Sequence, residues 1–191
     1  MNMLARHPAR VAVASFTAAM LLANAGVPEY SHRIHPLALR GTEGLPWAFA
    51  FNFVAFVLPG ALLLWAGQRL RVALDDAGWL ARIGIVLVQL SALAYAAQGL
   101  LPLDPNDAGS GASRLHALAW MLWWIAFVPG VLLLAVGARR GIVFALACLA
   151  AGVLVPLIAV FAPIGLWVGY AQRAAFAIWF GWWLVVSRGS R

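Results

Sequence analysis

Residues 141–172 read GIVFALACLAAGVLVPLIAVFAPIGLWVGYAQ, 32 consecutive positions without a charged side chain. About 20 apolar residues suffice to cross a hydrocarbon core of ~30 Å, so the run is too long for one span. Ala162-Pro163-Ile164-Gly165 divides it, giving spans near 141–162 and 166–187. Backbone groups in lipid must pair within their own segment, which makes each span a helix. Working outward, uncharged runs at 115–138, 83–103, 46–68 and 11–27 supply four more. The predicted fold class is all-α: a polytopic membrane protein of six transmembrane helices, forming one helical domain over residues 1–191.

Composition agrees. The 191 residues are 64% hydrophobic and 10% charged, where a soluble domain carries about a quarter charged residues. So few charges do not cover a soluble surface, and so apolar a chain is not disordered. The net charge of +7 would suggest nucleic acid in a soluble protein, but the chain has no lysine. Its arginines sit in pairs at the ends of the apolar runs, as at Arg69 and Arg71 or Arg139 and Arg140. That is a membrane-flank pattern, and nucleic-acid binding is excluded on it. The lone Cys148 forms no intrachain disulfide and reads as a small packed residue.

The first run, with Arg6 and Arg10 ahead of it and Ala23-Asn24-Ala25 behind, has the outline of a signal peptide. It is read here as a retained first helix, because the rest of the chain is itself membrane-embedded. Six spans put nine arginines on the side of the termini and three, Arg33, Arg40 and Arg114, on the other. Arginine excess marks the cytoplasmic face, so both termini are expected in the cytoplasm, with the chain in the inner (cytoplasmic) membrane. One echo is visible: Phe56-Val57-Leu58-Pro59-Gly60 resembles Phe127-Val128-Pro129-Gly130, which would follow from a duplicated helical hairpin. Pro59, Pro129 and Pro156 should each disturb their helix where the i−4 bond is lost.

Polar residues gather toward the arginine-poor side. They include Asn52 early in helix two, Tyr95 and Gln98 late in helix three, His116 opening helix four behind Ser113 as its cap, and Gln172 and Arg173 in helix six. Ser91, Tyr95 and Gln98 share one helical face at i, i+4, i+7. Polar groups in lipid cost free energy unless they turn inward. An arginine at mid-span costs roughly 2.5–3.5 kcal/mol on insertion scales, so Arg173 is expected either to snorkel outward to lipid phosphates or to be paired with an anionic ligand or with carboxylates. Asp104 and Asp107, in the loop before helix four, are the nearest acids in sequence. Ordinary turn chemistry around Pro105 explains them equally well. Ala108 and Leu115 stand at ligand positions of a calcium loop and exclude one. His32, His35 and His116 fall on the same side, but their spacing marks no metal site. No metal or cofactor is predicted.

These stretches resemble a membrane-protein family catalogued as domain of unknown function 998. The resemblance rests on Tyr30-Ser31 to Leu45-Pro46 followed by Phe51-Asn52 and Pro59-Gly60, on Leu101-Pro102-Leu103-Asp104 with Leu115-His116, and on Gln172-Arg173 with Trp179 and Trp182. The first loop departs from the Ser-x-Leu-Gly pattern, reading His35-Pro36-Leu37-Ala38-Leu39-Arg40-Gly41. The resemblance implies a six-helix membrane protein and no particular activity.

Three functions compete on these residues. In the first, Arg173, Gln172, His116, Asn52, Gln98 and Tyr95 line an outward-facing pocket that binds or moves an anionic amphiphile such as a membrane lipid. In the second, the chain is a structural or assembly subunit with a membrane-protein partner or a second copy of itself, Gly165 and Gly169 permitting close helix contact. In the third, Asp104 or Asp107 with His116 performs acid–base hydrolysis at the outer leaflet while Arg173 stabilises negative charge.

Overall fold

The computed structural model describes residues 7–107, 109–162 and 165–189. Among the described residues six main helices follow one another: α1 (Pro8–Leu21), α2 (Ala48–Ala73), α3 (Trp79–Leu100), α4 (Gly111–Gly137), α5 (Ile142–Phe161) and α6 (Val168–Val186). The four from α2 to α5 are long and apolar enough to cross a membrane, and α1 is a shorter apolar helix. At 1.5 Å per residue, its 14 residues reach about 21 Å.

Boundaries differ from the uncharged runs for a physical reason. α2 continues past Arg69 and Arg71, and α3 begins ahead of Arg82. Arginine ends the uncharged stretch but not the helix, since its stem lies along apolar surface while its head reaches water. α1 stops at Leu21 because the chain then enters successive turns, with Ala25 bonding back to Leu22 and Val27 to Asn24. At α4 the cap is Ser110, whose hydroxyl accepts from Ser113 N at 3.2 Å, and not Ser113 as expected. Ser113 Oγ is engaged with the carbonyls of Asp104 and Asp107. His116 therefore stands beyond the first turn.

α6 fills the middle of the bundle. Its Phe176 ring meets Phe16 of α1, Phe56 of α2, Tyr95 of α3 and Trp123 of α4. Trp179 lies 4.7 Å from Tyr95 between ring centroids, and Trp182 donates to Cys148 Sγ of α5 at 3.3 Å. Helices in lipid gain nothing from hiding apolar surface, so contact and packing must hold them together. Large aromatic rings in edge-on geometry supply both. Trp123, Trp179 and Trp183 are fully buried, whereas Trp47 and Trp167 remain exposed at the ends of their helices.

The two Pro-Gly segments behave differently. α4 passes through Pro129 as unbroken α-helix, while α2 carries a π turn over Phe53–Val57 just before Pro59. A second π turn, Leu157–Phe161, follows Pro156. A Cβ on Gly60 would lie 2.6 Å from Ala96 Cβ, and one on Gly130 would lie 2.9 Å from Val88. Both glycines thus bring their helix close to α3. In a repeated hairpin Gly130 would meet α5 instead.

Candidate functional site

The segment before α2 folds back over the start of α6. The first N–H groups of a helix have no partner inside it, and Trp167 supplies no side-chain cap. The Arg33 carbonyl accepts from Gly169 N at 2.8 Å and from Tyr170 N at 3.3 Å. Gly169 is required for this approach: a Cβ there would stand 2.4 Å from His32 O. Of the Gly165–Gly169 pair, Gly169 is therefore covered by the chain's own loop, while a Cβ on Gly165 would meet nothing within 4 Å among the described residues.

One turn on, Arg173 completes the attachment. Its Nη1 donates to His32 O at 2.9 Å, His35 O at 3.0 Å and Gly169 O at 2.8 Å, and its Nη2 donates to the Tyr30 hydroxyl. The guanidinium also lies 5.7 Å from the Tyr30 ring centroid. Arg173 is buried, and its partners are carbonyls and a phenol rather than the carboxylates of Asp104 or Asp107. Burial pushes the Tyr30 phenol above its ordinary range, although Arg173 and then Arg40 pull the other way. Partial burial, and secondly the charge of Arg173, hold His32 below the usual histidine range.

The remaining polar residues are spread over this end of the bundle. Asn52 donates to Gly41 O at 2.8 Å, tying the loop to α2. Arg40 is buried against Phe51 with one long bond to Ala25 O, and its Nε and Nη1 have no partner. Tyr95 donates to Ala55 O at 2.8 Å. Gln98 is buried with neither amide atom paired. Asp104 Oδ1 accepts from Asn106 N and Asp107 N, and Asp107 Oδ1 from Gly109 N. Both acids serve the turn around Pro105, the chemistry such residues usually perform.

His116 and Gln172 do come together. They line a cleft of about 320 Å³. Its loop wall is Pro36, Ala38 and Leu103; α4 adds Ala117 and Trp120, the π turn of α5 adds Ala159, and α6 adds Val168. His116 Nδ1 lies 2.8 Å from Leu101 O, and Gln172 Oε1 accepts from Leu37 N at 2.6 Å. Arg173, Asn52, Gln98 and Tyr95 do not line this cleft. Sequence reasoning missed Tyr30 as the arginine's partner and Trp120 as a cleft wall. The close approach required at Gly169 was visible only as a small residue in a helix.

Six apolar helices about an aromatic centre, with a loop bonded into one end, define a helical multi-pass membrane protein. The chain belongs to the family described as a protein of unknown function (DUF998), which matches residues 10–189. No curated protein and no solved structure matches the chain.

Proposed function

We propose that the protein binds a membrane amphiphile in the cleft between α4, α5 and α6. The observation that carries this reading is a concave, mainly apolar site of ligand-pocket size with two polar side chains converging in it, His116 and Gln172. The expectation of an anionic head rested on Arg173, whose guanidinium is committed to the loop and does not line the cleft. Arg173 acts in this reading by fixing the segment that carries Pro36 and Ala38, which form one wall. Arginine counts orient the cleft toward the outer leaflet of the cytoplasmic membrane, with both termini inside.

The test is to fill the cleft. Ala117→Phe and Ala159→Phe each place a ring where the apolar body would lie. Protein purified in mild detergent and analysed by mass spectrometry should carry a bound amphiphile in the parent chain and lose it in both variants. Equal amounts of the same molecule in parent and filled variants would rule out this site.

A further inference from the structure

Building on that reading, we infer that the cleft selects a single-chain amphiphile whose uncharged head both donates and accepts a hydrogen bond, in its simplest form a hydroxyl. The argument starts from the two polar side chains. A carbonyl oxygen can only accept, so the contact of His116 Nδ1 with Leu101 O at 2.8 Å places the ring proton on Nδ1. A neutral imidazole protonated on Nδ1 keeps a lone pair on Nε2, and among the described residues the ring's one hydrogen bond is that to Leu101 O. His116 thus offers the cleft an acceptor.

Gln172 offers the opposite. Leu37 N is a donor, so the amide atom 2.6 Å from it is the oxygen. Among the described residues the NH₂ group meets no hydrogen-bond partner, and it presents a donor. A hydroxyl carries the complement of both groups, a hydrogen for Nε2 and a lone pair for the amide N–H. Among the described residues no charged side chain lines the cleft. A carboxylate or phosphate placed there would lose its hydration without a counter-charge, which is costly. The volume, about 320 Å³, is at the lower end of ligand pockets, roughly 300–1,000 Å³, and matches one chain rather than two.

The experiment compares three twelve-carbon probes brominated at mid-chain, within reach of Trp120 one helical turn from His116: 6-bromododecan-1-ol, 6-bromododecanoate at pH 8, and 6-bromododecane. Bromine quenches tryptophan fluorescence on contact, and Trp120 in the cleft wall is the reporter. The full-length chain is held in lipid nanodiscs, and the part of the quenching lost in Trp120→Phe measures occupancy. The alcohol is expected to bind at least tenfold more tightly than the other two. His116→Asn keeps an N–H directed at Leu101 O but has no counterpart of Nε2, and it should remove that preference while the helix content is unchanged. His116→Ala should remove it as well. Carboxylate binding as tight as the alcohol, or a preference that survives His116→Asn, would overturn the assignment of the head while leaving the cleft intact. Absence of any Trp120-dependent quenching by all three probes would overturn the cleft itself.

Discussion

The Tyr95 hydroxyl donates to the carbonyl of Ala55 at 2.8 Å, the carbonyl that Pro59, four residues further on, is unable to bond. Its neighbour Val54 is orphaned too, because the Leu58 N–H is taken by Phe53 O in the π turn. Ser15 Oγ of α1 donates to Val54 O at 2.7 Å. One break in the α2 ladder is thus closed by a side chain from each flanking helix. Such closure is what makes a proline tolerable in a membrane helix.

Tyr95→Phe and Ser15→Ala should each destabilise the bundle by about 1 kcal/mol, the order of a lost buried hydrogen bond. Pro59→Ala restores an N–H for Ala55 O, so the Tyr95→Phe penalty should shrink in that background. Unfolding of the four proteins in increasing SDS measures the coupling. An unchanged penalty would mean that Tyr95 stabilises only through its ring contacts.

Gly169→Ala should displace the loop from α6, because the nearest obstacles to a methyl group are the backbone oxygens of His32, Arg33 and His35. The expected cost is roughly 1–3 kcal/mol, as for overpacked cores. Gly181→Ala meets open space and serves as the control, with little change. Thermal unfolding in detergent separates the two.

Arg173→Gln should loosen the same loop without unfolding the bundle, since the aromatic core around Phe176 and Trp179 does not depend on the guanidinium. Loss of charge-assisted bonds to His32 O and His35 O is worth about 2 kcal/mol or more. Arg173→Lys should recover only part of this, a single ammonium lacking the planar fork. Amide exchange over residues 28–46 should rise in the order parent, Lys, Gln.

Acid should weaken the loop. His32 has a depressed affinity for protons in the folded chain, from partial burial and then from Arg173. The unfolded or detached loop takes up the proton more readily, so attachment is complete above the ordinary histidine range near 6.5 and declines as pH falls through it. Proteolytic cleavage within residues 28–46 should speed up between pH 7.5 and 5.5. His32→Gln should flatten that rise.

The helices were legible in the sequence because crossing lipid is a local and additive requirement: enough apolar residues in a row, whatever lies elsewhere in the chain. The gathering of polar residues at one end was legible for the same reason. Their partners were not. Arg173 bonds to residues 138 and 141 positions earlier through main-chain carbonyls, which every residue carries and no side chain advertises. The cleft likewise exists only because the Pro36–Ala38 segment, the π turn of α5 and one face of α4 meet. Hydropathy marked the apolar segments that form the helices; which of their polar atoms find partners was decided by backbone groups brought together across the whole chain.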